Sequence, residues 1–338
     1  MINYFQLLFL VLLFLLRVSG FAQINSYQND SSQNMNYQTP MTTPMENSPN
    51  LNHLSNSGND NSILISSPDK ARICLDPITI KATAKPSGGV FSWAVDKPGL
   101  IIEESSIQGV VKLTLEEREN YIITLTYTTD SAYKSKQIRI NSKYHLEQSI
   151  NFYNVFNQKS EKRTGLAWEL FGLYLANCLN ITTYTSDDPE VSLDNAGAIV
   201  VSDNKIKSKM VLRHSALANE LINSVEKTKT WSTGNPLFWN LDESSLLGKA
   251  LGTSKYTYVI TGLSKCLVDD HLGIELKADW KIYDELDWRS FSEFEHHSAG
   301  SVAEGIFDLV FDKALDCEYI FKANYKVNPY FKYKPLDQ

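Results

Sequence analysis

The chain has no excess of positive charge and no extended cluster of basic residues. Its 338 residues include 32 Lys and Arg against 39 Asp and Glu, which gives a formal net charge of -7. The longest basic run is Lys205-Ile206-Lys207-Ser208-Lys209, which we interpret as a solvated loop. Proteins that recognise nucleic acid normally present a basic patch, so the composition argues against nucleic acid as a partner.

The sequence also lacks the short motifs of common catalytic and cofactor sites. It contains no Gly-x-Ser-x-Gly, no His-Glu-x-x-His, no phosphate-binding glycine loop and no calcium-binding loop. Its four cysteines, Cys74, Cys178, Cys266 and Cys317, are widely spaced and form no Cys-x-x-Cys, which argues against a zinc or thioredoxin-like site. Four cysteines allow three disulfide pairings, and buried free thiols at Cys178 and Cys266 fit their apolar surroundings equally well. The cofactors are therefore unknown.

Long hydrophobic runs are absent apart from Leu7 to Leu16, which is too short to span a bilayer. It precedes the small residues Gly20 and Ala22, although no Lys or Arg lies before it. We interpret residues 1–22 as a secretory signal that is removed after Ala22. The mature chain should then have no membrane span and should be secreted, periplasmic or bound to the cell surface.

Residues 23–62 change abruptly to Asn, Ser, Gln, Thr, Pro and Met without hydrophobic periodicity. Such a segment cannot bury enough apolar surface to offset its chain entropy, so the composition predicts a disordered linker.

Residues 63–142 contain short runs that alternate between apolar and polar residues and are separated by turn signals such as Pro86-Ser87-Gly88-Gly89. This rhythm predicts an all-β sandwich. The segments GGVFSWAV and ENYIITLTYT resemble the central strands of immunoglobulin-like and PKD-like modules of bacterial surface proteins, with Trp93 as the core tryptophan and Tyr121 opening a late strand. The sequence departs from PKD modules at Trp93-Ala94-Val95-Asp96 and lacks the paired cysteines of antibody domains. The resemblance implies a spacer or a binding scaffold.

From residue 144 to 338 the pattern becomes mixed α and β. Leu166 to Leu179 predicts a buried helix, Leu217 to Val225 predicts a second helix, and Ser301 opens a third with a capping box. Tyr319 to Val327 alternates as a half-buried strand. Helices and antiparallel strands without a βαβ rhythm indicate an α+β domain. The predicted fold class is therefore multidomain, with an all-β immunoglobulin-like sandwich followed by an α+β domain with an antiparallel sheet.

The most regular stretch of the chain runs from Lys255 to Arg289. Apolar residues alternate with Glu275, Lys277, Asp279 and Lys281 between Ile274 and Ile282, which is the period of a half-buried strand. An earlier alternating run begins at Tyr256, and a polar segment separates the two. The pattern predicts an antiparallel hairpin.

Reactive side chains follow this hairpin, and we take them as the candidate catalytic residues: Tyr283, Asp284, Arg289, His296 and His297. A carboxylate beside an imidazole can divide general acid and base roles, and an Arg can hold an anion. Tyr283, Asp284 and Arg289 resemble the catalytic segment of colicin M-like toxins, which implies an effector acting on a cell-envelope target. The alternative is a solvated strand end in which Arg289 pairs with Asp284 or Glu285.

Two weaker groups have structural alternatives of their own. Asp269-Asp270-His271 could bind a metal or could simply form the hairpin turn. Trp231, Phe238 and Trp239 could form an aromatic platform for a sugar or could pin an Asn-Pro turn.

Two functions therefore remain open from the sequence. The first is an exported bacterial protein whose C-terminal domain is a toxin-like effector, and the second is a non-catalytic surface protein that binds glycan or protein.

Overall fold

The computed structural model describes residues 63–150, 160–178, 195–286 and 319–336, and these residues are mostly β-sheet with few helices. The predicted signal peptide, the predicted linker and the helix predicted at Ser301 lie outside the described residues. Among the residues that are described, no helix is long and apolar enough to cross a membrane.

The first part of the chain forms two β-sheets packed face to face. Strands β2, β9, β8 and β5 form one sheet in that order, and strands β3, β7 and β6 form the other. Strand β1 pairs with β4 in a separate two-stranded ribbon. All neighbours are antiparallel except β2 and β9. The strands are β1 Leu64–Ser66, β2 Lys70–Arg72, β3 Ile78–Lys81, β4 Thr83–Lys85, β5 Val90–Val95, β6 Leu100–Glu104, β7 Val110–Leu115, β8 Tyr121–Thr128 and β9 Tyr133–Asn141.

The core of this sandwich comes from the alternating residues that the sequence identifies. Val111, Ile123 and Ile138 are fully buried between the sheets. The hydroxyl of Tyr121 donates to the carbonyl of Glu117 at 2.9 Å, the kind of tyrosine corner found in such sandwiches. Trp93, expected at the centre of the core, is only half-buried and packs at its margin.

The later part of the chain forms a seven-stranded antiparallel sheet. Strands β10, β16, β14, β13 and β11 follow one another across it, while β12 also pairs with β13 and β15 with β14. The strands are β10 Tyr144–Ile150, β11 Thr228–Ser232, β12 Leu237–Asn240, β13 Thr253–Cys266, β14 Leu272–Leu286, β15 Tyr319–Val327 and β16 Tyr330–Pro335. The predicted hairpin is confirmed as β13 and β14, joined through a 3-10 turn at Val268–Asp270.

Helices pack on one face of this sheet, which we call the inner face. They are α1 Ser160–Cys178, α2 Ala196–Val201, α3 Asn204–Ile222 and α4 Leu246–Leu251. Leu170 on α1, Met210 on α3 and Ile274 on β14 belong to the one core between the layers. The sequence interpretation of Lys205 to Lys209 as a loop is wrong. These residues open α3, because Asp203 caps the helix and the apolar Ile206 is fully buried.

The two parts of the chain are joined by a disulfide between Cys74 and Cys266, whose Cα atoms lie 6.0 Å apart. Cys74 follows strand β2, and Cys266 ends β13. Arg118, which precedes β8, adds a hydrogen bond of 2.8 Å to the carbonyl of Ser224 beyond α3. These contacts fix one end of the sandwich against the β13–β14 hairpin.

Candidate functional site

Strand β14 places two of the predicted catalytic residues on opposite faces of the sheet. Ile282, Asp284 and Leu286 face the helices, whereas Tyr283 lies on the other face between Lys255 of β13 and Lys322 of β15. Successive side chains of a strand point to opposite sides, so adjacent residues cannot meet at one site. The described backbone therefore separates the tyrosine from the aspartate by the thickness of the sheet.

Arg289, His296 and His297 lie outside the described residues. Of the predicted catalytic set, the structure therefore locates Tyr283 and Asp284. The alternative interpretation pairs Arg289 with Asp284 or Glu285. In the described strand, Glu285 forms an ion pair with Lys255 at 2.9 Å.

Asp284 is largely enclosed between the sheet and the helices. Its Oδ2 accepts a hydrogen bond of 2.7 Å from the hydroxyl of Ser254 on β13. Burial raises the pKa of this carboxyl to about 7, against the smaller opposite effect of the Ser254 hydrogen bond. Asp284 thus changes its charge near neutral pH, which is the property that a general acid or base requires.

An aromatic cluster lies beside Asp284 on the inner face. The ring centroids of Trp239 and Tyr256 are 4.9 Å apart, and those of Trp239 and Trp280 are 5.5 Å apart. Burial strongly raises the pKa of Tyr256. Its hydroxyl is buried without a hydrogen-bond partner among the described residues. The cluster is a packed wall of the core, with the tyrosine hydroxyl held in its neutral form.

His214 on α3 packs against the same cluster. Its Nε2 accepts a hydrogen bond of 3.1 Å from the indole nitrogen of Trp280. Burial lowers the pKa of His214 to about 4, so the ring is neutral at physiological pH and Nδ1 carries its proton. Arg213, its neighbour on the helix, donates to the hydroxyl of Tyr258 at 2.8 Å through Nε. These contacts attach the helix to β13 and β14.

The opposite face of the sheet, which we call the outer face, carries a row of cationic and aromatic side chains. Phe238, Lys255, Tyr283 and Lys322 are direct cross-strand neighbours on β12, β13, β14 and β15. Adjacent strands lie about 4.8 Å apart, so the row extends over about 14 Å. Phe238 is 59% exposed. The ring is available to a ligand, with ammonium groups on the same face.

A second and a third row continue this surface. Lys281 lies between Thr257 and Asn324, and Asp279 lies between Val259 and Lys326. We call the outer-face residues Lys255, Lys277, Lys281, Lys322 and Lys326, together with Phe238 and Tyr283, the lysine face.

The weak metal candidate at the hairpin turn is not assembled among the described side chains. Asp270 forms an ion pair with Arg72 at 3.2 Å, and His271 approaches Glu147 at 3.4 Å. The described part of the chain contains no group of three or more His, Cys, Asp or Glu side chains able to hold a metal ion. Asp270 adopts a left-handed conformation, with φ of 59°, that Asp tolerates in turns.

The three aromatic residues proposed as one platform do not share a face. Trp231 and Trp239 point inward, where the indole of Trp231 donates to Glu220 at 3.1 Å, and Phe238 alone points outward. This alternation follows from the strand geometry of β12.

Sequence reasoning missed Ser254 and His214. Ser254 lies in an alternating strand, and its position opposite Asp284 follows only once β13 is paired with β14. His214 lies on α3 before Leu217, where the sequence prediction began the helix. The lysine face had a visible signal, namely the polar members of the β14 alternation.

No protein-family model matches the chain, and no curated protein matches its sequence. Among solved structures, it is similar to titin domain M7, with 14% identity and a TM-score of 0.18, over 23% of this chain and 90% of that one. It is also similar to the titin M3 domain, with 14% identity and a TM-score of 0.17, over 23% of this chain and 93% of the other. These immunoglobulin-like neighbours cover only a small part of the chain.

Proposed function

We propose that this chain is an exported, modular bacterial protein of the cell surface or periplasm whose function is to bind a glycan without catalysis. In this proposal residues 63–142 form an immunoglobulin-like scaffold and residues 144–338 form the binding domain. The observation that carries the proposal is the outer-face row of Phe238, Lys255, Tyr283 and Lys322.

A sugar ring presents C–H groups on its faces and hydroxyl groups around its rim. The exposed ring of Phe238 offers a flat apolar surface, and Thr257 and Asn324 in the adjoining row offer hydrogen-bonding groups. A sheet is rigid compared with a loop, so these groups are held at fixed spacing before a ligand arrives. Such preorganisation reduces the entropy lost on binding.

The effector hypothesis is a second candidate, and one specific observation favours it. The raised pKa of Asp284, about 7, suits proton transfer at neutral pH. Its position on the face opposite Tyr283 removes one proposed partner. The matching assay directs residues 144–338, or the full mature chain, to the periplasm of susceptible cells and records growth for the wild type and Asp284→Asn.

The binding proposal is tested by cosedimentation of the mature protein with insoluble cell-envelope polysaccharide. Phe238→Ala should reduce the bound fraction by about tenfold, since an exposed aromatic contact is lost without a change in the core. Leu212→Ala is the matched control, because Leu212 on α3 is a similarly exposed apolar residue, at 70%, away from this face. Equal binding by the wild type and Phe238→Ala would place the glycan site elsewhere, and no binding by either protein would contradict the proposed function.

A further inference from the structure

We propose that the lysine face binds an acidic polysaccharide, a polymer of sugars that carry carboxylate groups. The inference rests on the proposed glycan-binding function and specifies the chemical class of its ligand. It is carried by the charge balance of the outer face and by the lysines of that face that have no anionic partner.

Three lysines of this face are unpaired among the described residues. Lys277, Lys281 and Lys322 have neither an ion pair nor a hydrogen bond to any described side chain. Lys277 and Lys281 are exposed on β14 and stand four residues apart, about 13 Å along the strand. An anionic ligand would give these three ammonium groups the counter-charge that the described side chains do not supply.

The remaining charges of the face are matched. Lys255 pairs with Glu285 at 2.9 Å, and Lys326 approaches Asp279 at 3.7 Å. The lysine face therefore carries a positive surplus in a protein whose formal net charge is -7. A local field opposite in sign to the whole molecule attracts anions to this face in preference to others.

The two acidic residues within the lysine face, Asp279 and Glu285, favour a sparsely charged polymer over nucleic acid. Double-stranded DNA carries one charge per about 1.7 Å of its axis, which would bring phosphates against Asp279 and Glu285. A polysaccharide with one carboxylate on each acidic sugar can place its charges at the unpaired lysines. Its sugar rings can then stack on Phe238, which lies at the end of the Lys255 and Tyr283 row.

The cations described on this surface are lysines and not arginines. An ammonium group acts as a point charge, whereas a guanidinium group makes two parallel bonds to one carboxylate. Binding should therefore depend on the number of charges and weaken steeply with salt, with little dependence on the geometry of an individual acidic sugar.

The experiment uses the mature full-length protein and alginate, a polymer of uronic acids, with carboxyl-reduced alginate as the neutral polymer of matched backbone. The variant is Lys277→Gln/Lys281→Gln/Lys322→Gln. The matched control is Lys70→Gln/Lys81→Gln/Lys85→Gln, which removes the same charge from exposed lysines of the sandwich. Affinity is measured by biolayer interferometry at two salt concentrations, and circular dichroism confirms that both variants are folded.

Support would be tighter binding of alginate than of the reduced polymer, together with a loss of affinity of about 30- to 1,000-fold in the first variant and no loss in the control. This range follows from about one tenfold step for each one or two of the three lysines. Equal affinity for the two polymers would overturn the acidic ligand while leaving a glycan-binding function intact. Failure to bind either polymer, with envelope polysaccharide still bound, would overturn this inference alone. Tighter binding of duplex DNA than of alginate at equal salt would assign the face to nucleic acid instead.

Discussion

The side chains of Ser254 and Asp284 form a hydrogen bond of 2.7 Å across strands β13 and β14, on the face of the sheet that packs against the helices. The contact places an ionisable carboxyl inside a largely apolar layer. Its charged form is disfavoured there, so the stability of the protein must depend on pH through this residue.

Asp284→Asn should change the pH dependence of stability. Burial raises the pKa of Asp284 from its ordinary 3.8 to about 7, so between these values the folded protein binds a proton that the unfolded chain has lost. The stabilisation is complete below pH 3.8 and is lost as the pH rises through 7, with a slope of at most about 1.4 kcal/mol per pH unit. Chemical denaturation of the wild type and Asp284→Asn from pH 4 to 8 should show the wild type losing stability relative to the variant. Parallel curves would mean that the carboxyl is ionised and solvated in the folded protein.

In His214→Gln, the free energy of unfolding should change with pH in the direction opposite to its change in Asp284→Asn. Burial lowers the pKa of His214 from 6.5 to about 4, so in that interval the unfolded chain binds the additional proton. The stabilisation is complete above pH 6.5 and is lost as the pH falls through 4, because protonation removes the acceptor of the Trp280 indole. Between pH 4 and 6.5 the two effects oppose each other. The wild type should therefore be nearly flat in this window, with Asp284→Asn falling in stability towards acid and His214→Gln falling towards neutral pH.

The double variant Asp284→Asn/His214→Gln serves as the control for both titrations. It lacks both groups, so its stability should again be nearly flat between pH 4 and 6.5. A double variant that keeps the slope of either single variant would assign that slope to another residue.

The β14 hairpin was predictable from the sequence because its information is local. A strict alternation from Ile274 to Ile282 specifies a strand and its buried face without reference to any other element. The same reasoning correctly located the sandwich strands and the helix at Leu166. Two lysines of the outer face, Lys277 and Lys281, were visible in that alternation as well. The other lysines of this face lie on β13 and β15, and the alternation of β14 does not show that these strands pair with it.

Long-range relationships were not predictable. Asp284 appeared to be an exposed strand end because the sequence gives no sign that Ser254 lies opposite it. The pairing of Cys74 with Cys266 depends on where the sandwich meets the hairpin, and spacing alone left three pairings open. The basic run at Lys205 resembled a loop because a solvent-facing helix start and a solvated loop share the same composition.

Removing the disulfide with Cys74→Ala/Cys266→Ala should lower the free energy of unfolding by about 3 to 5 kcal/mol. The bridge spans 192 positions, so it removes a large amount of conformational freedom from the unfolded chain. Chemical denaturation of the double variant and the wild type measures the difference. Non-reducing peptide mapping of the wild type checks the pairing, and a Cys74 peptide linked to Cys178 or Cys317 would contradict it.

Export should leave a mature protein that begins at Gln23. Ala22 and Gly20 supply the small residues that signal peptidases read after an apolar segment. N-terminal sequencing of protein recovered from the culture medium or periplasm measures the first residue. Recovery of an exported chain that begins at Met1 would contradict removal of residues 1–22, and Ala22→Asp should prevent processing at this site.

Arg118→Ala should loosen the junction between the sandwich and the seven-stranded sheet. Arg118 is only 8% exposed; its Nε donates to the carbonyl of Ser224 at 2.8 Å, and its guanidinium lies 5.5 Å from the centroid of the Tyr144 ring. Truncation leaves the carbonyl of the half-buried Ser224 without its donor and removes the cation–π contact, so we expect a loss of about 1 to 3 kcal/mol of stability. Arg139→Ala is the matched control, since Arg139 is exposed on β9 and should change stability by less than about 0.5 kcal/mol. Hydrogen exchange would distinguish a local effect from a global one: faster exchange confined to the segment after α3 and to the start of β10 indicates that Arg118 holds the junction. Equal stability of the two variants would mean that the junction is held without Arg118, by contacts such as the disulfide and the ion pair of Arg72 with Asp270.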